Sequence, residues 1–246
     1  MLSEERQVIM KRLFTFFSLL VLHQVSAQER LIDTVFIDNQ FAKVSKTAKI
    51  NHLSSDKILE NSTSLSDLLR FNSNIYIKEN GRGATSSPSF RGTTAQQTAF
   101  VWNGINVNSP FLGQGDLNTM SPLSYENVAI KYGGGSVIYG SGAIGGSIHL
   151  NNTLLFNRGF EGKLFSEYSS FTTSNSVASA KLSTANLSFN VNINHSQSEN
   201  AYEVEEKYYK NRNGAYQNSA FNLGMAHKIS AENELYWQTQ LFDGVQ

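Results

Sequence analysis

From Leu187 to Ser196 the chain alternates without a break. Leu187, Phe189, Val191, Ile193 and His195 take the odd positions, and Ser188, Asn190, Asn192, Asn194 and Ser196 the even ones. Successive side chains of a strand point to opposite faces, so one face is mainly apolar and the other entirely small or amide. The pattern recurs. Phe221, Leu223, Met225 and Ile229 alternate with Asn222, Gly224, Ala226 and Lys228, and Leu235, Trp237 and Leu241 with Glu234, Gln238 and Gln240. Soluble strands run to about five or six residues. Runs near ten fit transmembrane β-strands of about 9–11 residues, with lipid outside and water inside. The joins alternate as well: a short one near 170–175, a tight turn at 184–186, a long loop at 199–215 and a tight turn at 230–233. Short turns on one rim and longer loops on the other suit an outer-membrane barrel. Phe160, Tyr168, Phe171, Tyr216, Tyr236 and Trp237 lie near strand ends, where aromatic girdles form.

Composition narrows the class further. Only 16% of the 246 residues are charged, against about 25% in an average soluble domain. The mean hydropathy is nonetheless −0.30, which excludes a helical membrane protein. Eighteen Gly and three Pro suit a β-rich chain. Twenty basic and 20 acidic residues balance, so nothing advertises nucleic acid. The absence of Cys removes disulfides, zinc thiolates and thiol nucleophiles. From residue 155 onward there is room for about five strands of that length. A barrel with a plugged lumen needs about 22. Open sheet edges in lipid leave unpaired N–H and C=O groups at several kcal/mol each. The count predicts a piece of a longer protein, or the product of a truncated reading frame.

The N-terminal part reads as an address. Lys11 and Arg12 precede the apolar run 13–22, and Val25-Ser26-Ala27 supplies a small-residue cleavage site. Ten apolar residues fall well short of the roughly 20 that span a bilayer as a helix. Residues 1–27 are therefore expected to be a secretory signal peptide, with Met10 as an alternative start and no Cys for a lipid anchor. Residues 28–47 read as an entry segment holding one extended run, Asp33-Thr34-Val35-Phe36-Ile37. Residues 48–152 read as a small domain of helices and strands. Ser64 to Asp67 has helix-capping spacing, and Leu65, Leu68 and Leu69 share a helical face. Strands are expected at 74–78, 98–102, 105–108, 128–132 and 147–150. Asn103-Gly104 favours a type I′ turn. Loops 80–87 and 108–116 carry Gly, Ser and Asn. Residues 153–246 hold the long alternating strands.

Chemistry-bearing motifs are few. Gly140-Ser141-Gly142-Ala143-Ile144-Gly145 is formally GxGxxG, but a strand-like segment follows it where a nucleotide fold needs a helix. His52, His149, His195 and His227 show no ligand spacing, and no HExxH, P-loop or GxSxG occurs. The sequence therefore carries no enzyme signature. Glu199, Glu203, Glu205 and Glu206 offer carboxylates to a hard cation such as calcium. Lys207 and Lys210 beside them favour a solvated loop.

Together these residues resemble TonB-dependent outer-membrane receptors along essentially the whole chain. Asp33-Thr34-Val35-Phe36-Ile37 looks like the TonB box, and Ser66-Asp67-Leu68-Leu69-Arg70 is similar to the helix entering the plug. Phe90-Arg91-Gly92 looks like the family's Arg-Gly plug motif, and Asn103-Gly104-Ile105 stands where Asp-Gly-Val is common. Glu126 to Ile130, then Tyr139-Gly140 to Gly145-Gly146, are similar to the hallmark plug terminus. Tyr132-Gly133-Gly134 departs from the family's Arg-Gly-Pro. The resemblance is greatest to the cobalamin-receptor branch, with siderophore receptors close behind.

The resemblance implies an α+β plug domain followed by antiparallel transmembrane β-barrel strands, the opening part of an incomplete 22-stranded barrel. It implies outer-membrane lipid around the wall, a TonB-type energy-transducing partner at residues 33–37, and a cobalamin- or siderophore-class small-molecule ligand. It implies no cofactor, no metal and no nucleic acid. Ligand contacts are expected on the plug apices at Asn80, Arg82, Thr85, Ser86, Asn108, Phe111, Gln114 and Asp116. A non-transporting surface-adhesion β-protein is the alternative, and a nucleotide-binding enzyme on the Gly-rich stretch is the more distant one.

Overall fold

Two short segments rich in β-branched and aromatic residues, Thr98–Trp102 and Asn127–Tyr132, flank Gly146–Asn151 at the centre of the first sheet. The computed structural model describes residues 49–133, 135–204, 209–211 and 213–245. The signal-peptide and TonB-box readings, Gly134, Glu205 and Glu206 lie outside the described residues. The elements of the first region are β1 (Ile50–Leu53), α1 (Ser55–Glu60), α2 (Leu65–Asn72), β2 (Tyr76–Glu79), β3 (Ser86–Ser89), β4 (Thr98–Trp102), β5 (Ile105–Asn106), β6 (Asn127–Tyr132), α3 (Ser136–Tyr139) and β7 (Gly146–Asn151). One sheet has the order β1-β6-β7-β4-β5, with β4 and β7 parallel and the other pairs antiparallel. A separate hairpin joins β2 and β3.

Helix α2 forms where its cap and its leucines agree. The Ser64 hydroxyl accepts the Asp67 N–H at 3.1 Å, satisfying one of the free first-turn donors. Leu65, Leu68 and Leu69 are fully buried at the i, i+3, i+4 spacing. They meet Phe100, Val128, Ile130, Ile148 and Leu150 from one face of the sheet, with Leu117 and Leu123 in the same core. Each such side chain contributes about 1.5–3 kcal/mol of burial. The opposite face carries Ala99 and Val101 with Ala143 and Tyr139. His149 is buried there, its Nε2 2.8 Å from Ser147 Oγ and its ring 5.1 Å from that of Tyr139. Burial, with Lys131 and His52 beside it, pushes its pKa down to about 3, so it stays neutral. Asn103 and Gly104 both take positive φ, 46° and 89°, as a type I′ turn requires.

The second sheet is a meander of long strands. Its members are β8 (Gly159–Ser169), β9 (Thr173–Ser183), β10 (Leu187–Ser198), β13 (Tyr216–Lys228) and β14 (Glu234–Val245), in the order β14-β13-β10-β9-β8. All neighbours are antiparallel. The strands run to 11–13 residues, at or slightly beyond the upper end of the expected span. The loop from 199 to 215 holds a two-rung hairpin, β11 (Glu203–Val204) with β12 (Tyr209–Lys210). The join at the start of β9 is as tight as those on the other rim, because Phe171 and Thr172 both adopt positive φ. Among the described residues β8 and β14 each pair on one side only, so the sheet is open.

The inner face differs from a water-facing lumen. Ser188, Asn190, Asn192 and Asn194 of β10 are at most 6% exposed. The first region covers them, and amide side chains on the wall hydrogen-bond to it. Tyr216 also corrects the girdle expectation. It lies on the inner face, with its ring against Gly83. Tyr236 shares the inward parity of Gln238 and Gln240, and its hydroxyl bonds to Glu234. Phe160, Tyr168 and Trp237 have outward parity and are 60–75% exposed.

Candidate ligand and plug-docking site

The first apical loop is closed by its own backbone. Asn80 N–H donates to the Thr85 carbonyl at 3.2 Å, and Ala84 N–H to Gly81 at 3.1 Å. At its tip Arg82 Nη1 lies 2.5 Å from Asp67 Oδ2, while Asp67 Oδ1 takes Arg70 Nη1 at 3.1 Å and Arg70 Nη2 reaches Glu79 Oε2 at 2.5 Å. Burial works to lower the Arg82 pKa, but the hydrogen bond and charge of Asp67, with Glu79, carry it above its ordinary value. Gly83 has φ +78°, and a Cβ there would meet the Tyr216 ring at 2.5 Å. The loop therefore touches the wall where only glycine fits.

Asn118, which sequence reasoning missed, is the hub beneath this loop. Its Nδ2 donates to the Ala84 carbonyl at 2.5 Å and its Oδ1 accepts from Ser66 Oγ at 2.9 Å. Its carbonyl accepts Nδ2 of Asn218 on β13 at 3.2 Å. The signal was the Asp-x-Asn spacing, since Asp116 Oδ1 accepts the Asn118 N–H at 3.0 Å as a short local cap. Ser86 is a buried strand residue. Its N–H donates to Asp116 Oδ1 at 2.9 Å, and its Oγ lies 2.8 Å from Ser66 Oγ. Burial pushes the Asp116 carboxyl up, against the opposing N–H groups of Ser86 and Asn118.

The second apical loop spends its polar groups on itself and on the backbone of β4. Asn108 Oδ1 accepts the Phe100 N–H at 2.8 Å, and its Nδ2 donates to Thr98 and Gly113 carbonyls at 2.9 and 3.0 Å. Ser109 N–H donates to the Gln114 carbonyl at 3.0 Å. Phe111 projects from the tip, 96% exposed. The fold thus gathers Asn80, Arg82, Thr85, Ser86 and Asp116 around Asn118. Asn108 and Gln114 shape the other loop, and Phe111 stands apart.

The residues of the plug terminus hold the turns and the docking seat. Arg91 and Gly92 both have positive φ, 50° and 83°, and the turn closes with Thr93 N–H on the Phe90 carbonyl at 2.9 Å. Tyr139 ends α3, and Gly140 follows at φ 84°, ψ −178°, a conformation nearly confined to glycine. Tyr132, in place of the family's Arg, packs edge-on against Phe90 at 5.6 Å. Residues 123–126 form the seat on the wall. Asn192 Nδ2 donates to the Leu123 carbonyl at 3.3 Å, Asn194 Nδ2 to Ser124 Oγ, and Gln240 Nε2 to the Tyr125 hydroxyl at 3.1 Å. Burial pushes Tyr125 up to about 12, with the Gln240 bond opposing it.

Glu126 closes the strip. Its Oε1 takes Lys181 Nζ at 2.9 Å and Asn190 Nδ2 at 2.9 Å. Both charged side chains are about a third exposed, 30% and 31%, so solvent weakens the pair. Glu126→Ala is expected to speed amide exchange severalfold over 122–127 while α2 stays protected. Glu126→Gln is expected to do less, since its amide oxygen still accepts from Asn190. Exchange unchanged in both variants would refute the latch role.

The family profile described as TonB-dependent Receptor Plug Domain matches residues 42–147. Vitamin B12 transporter BtuB of Vibrio vulnificus (strain YJ016) is 29% identical over 155 residues, covering 61% of this chain and 25% of that protein. Transferrin-binding protein A of Neisseria meningitidis serogroup B (strain ATCC BAA-335 / MC58) is 31% identical over 143 residues, 50% of this chain and 15% of that one. The pyoverdine outer membrane receptor FpvA of Pseudomonas aeruginosa PAO1, solved bound to pyoverdine, superposes with TM-score 0.65 at 13% identity. That match covers 82% of this chain and 28% of FpvA, and shows likeness of fold. The matches span a quarter or less of the two curated relatives named.

Proposed function

Because the chain belongs to the TonB-dependent receptors, we propose that it is the N-terminal part of an outer-membrane receptor for energised uptake of a scarce, large ligand such as cobalamin or a ferric siderophore. One observation carries the reading: the plug lies on the inner face of the wall and buries its amides, Asn190, Asn192 and Asn194. A ligand passing inside a wall so covered requires the plug to shift, and that takes work. A TonB-type partner supplies it by pairing with the extended run 33–37 as an added strand, where main-chain hydrogen bonds bear the load. Ligand at the apical loops biases that run toward release, a coupling between two sites. The apolar outer face of the strands meets outer-membrane lipid.

The test is uptake in cells that carry the receptor with and without residues 33–37. Deletion is expected to reduce accumulation of labelled cobalamin or ferric siderophore to background and leave surface binding intact. Accumulation untouched by the deletion would defeat the transport reading in favour of surface adhesion.

A further inference from the structure

Asparagine followed by glycine occurs three times in the chain, at Asn80-Gly81, Asn103-Gly104 and Asn213-Gly214. Such a pair carries a reaction of its own. The backbone nitrogen of the glycine, uncrowded by any Cβ, attacks Cγ of the asparagine. Ammonia leaves and a cyclic imide remains. Water then opens the imide at one carbonyl or the other, giving aspartate or its β-linked isomer. The sum is amide plus water to carboxylate plus ammonia, and nothing is oxidised or reduced. The attack needs a side-chain amide free to turn and a glycine nitrogen with no other partner.

The fold withholds that freedom at two pairs and grants it at one. Asn103 Oδ1 accepts the Asn152 N–H at 2.7 Å, and its own N–H donates to the Leu150 carbonyl at 3.1 Å. Turning this amide toward Gly104 breaks the first bond. Gly214 is buried, and the side-chain amides of Asn211 and Asn200 crowd it so closely that a Cβ would not fit. Asn80 differs on each count. It is exposed, and its side chain makes no hydrogen bond among the described residues. Gly81 is exposed too, at φ +124°, and a Cβ built on it would meet nothing within 4 Å. Its carbonyl accepts the Ala84 N–H at 3.1 Å, while its own N–H has no partner among the described residues.

We propose that Asn80 is a site of self-modification, converted through the Gly81 nitrogen to aspartate and its β-linked isomer while Asn103 and Asn213 persist. The chemistry goes beyond the receptor reading and stands without it. The surroundings give it a consequence. Arg70 and Arg82 hold Asp67 and Glu79, and Asp116 is a third carboxylate within reach of the Glu79 charge. A fourth, at residue 80, meets no further arginine in that network. The β-linked isomer also lengthens the backbone by a methylene just ahead of Gly81, so the turn from Gly81 to Ala84 loosens.

The experiment holds the receptor, isolated in outer membranes, at mildly alkaline pH beside a portion unfolded in guanidinium chloride. Mass spectrometry of peptides spanning the three pairs follows the change of amide to acid. In the unfolded chain the three pairs are expected to react at similar rates. In the folded receptor Asn80 is expected to keep that rate, and Asn103 to fall at least about tenfold below it, the hold of two hydrogen bonds. Asn213 is expected to be slowed with it. Asn80 protected as strongly as Asn103, or either other pair reacting as fast as Asn80, overturns the site. Amide exchange at Ala84 reads the consequence. It is expected to be severalfold faster in aged than in fresh receptor, and unchanged by ageing in Asn80→Gln. Equal exchange in the aged parent and aged Asn80→Gln refutes the loosening.

Discussion

Gly146→Ala is expected to cost the plug about 3 kcal/mol, the upper part of the range for an overfilled core. A Cβ at residue 146 would lie 2.7 Å from the Lys131 carbonyl oxygen and 2.7 Å from Phe90 Cε1. Neither neighbour can yield. Lys131 sits in the β6–β7 ladder opposite Ser147, and Phe90 is 2% exposed and wedged against Tyr132. The strand would have to move away from β6, and the leucine face of α2 would lose its floor. Gly145 is crowded in the same way, by Thr93 Oγ1 at 2.5 Å and the Gln97 carbonyl at 3.0 Å. Gly142, from the same run, is the control. A Cβ there meets its nearest neighbour at 3.4 Å, and Gly142→Ala is expected to be nearly silent. For a plug of this size, 3 kcal/mol corresponds to a fall in its melting temperature of more than about 10 °C. Plug-specific protease protection during heating reads it. A Gly146→Ala plug that melts with the parent, or a Gly142→Ala plug that fails as badly, would show the crowding to be misread.

Val35→Pro is expected to abolish energised uptake, by about a hundredfold or more, while ligand binding at the cell surface stays within about twofold. The expectation follows from how an added strand is held. Proline removes one backbone donor and fixes φ, and both changes break a pairing ladder near its centre. Side-chain chemistry matters less in that geometry, so Val35→Ile is expected to transport normally. The pair separates loss of a backbone rung from loss of a residue type. Initial uptake rates and surface binding, measured on the same cells, decide the matter. Proline tolerated at full rate would mean that residues 33–37 are not the handle.

The period-2 runs gave the wall strands directly. Leu187 to Ser196 lies wholly in β10, and the alternation put Asn190, Asn192 and Asn194 on one face. Helix α2 was legible because its Ser64 cap and leucine spacing are local. Asn103-Gly104 was legible because its turn needs two positive φ angles. What the amide face touches was not legible. Asn190 meets Glu126 across 64 positions and Gln240 meets Tyr125 across 115. Periodicity assigns a face and names no partner. The seat at 123–126 was hidden for a second reason, since the Leu123 contact is made by a carbonyl that every residue owns. Tyr216 misled because an aromatic near a strand end reads alike on either side of the wall. Ser86 and Asn108 misled because loop composition does not reveal which amides and hydroxyls the fold consumes internally.

Strand β1 is the outermost member of the first sheet and bonds to β6 through four residues, Ile50 to Leu53. Beyond that ladder stand the bond from Tyr132 N–H to the Lys49 carbonyl and that from Asn51 Nδ2 to the Asn72 carbonyl. The seat on the wall is made by residues 123–126, far along the chain from this edge. Tension entering ahead of Lys49 therefore has a load path that reaches the edge rungs before it reaches the seat. Applied across the strand, it breaks them one by one at about 0.5–1.5 kcal/mol each. The geometry is that of a fuse: the border of the plug gives way at low force, while Glu126 and the amides of β10 keep the remainder anchored.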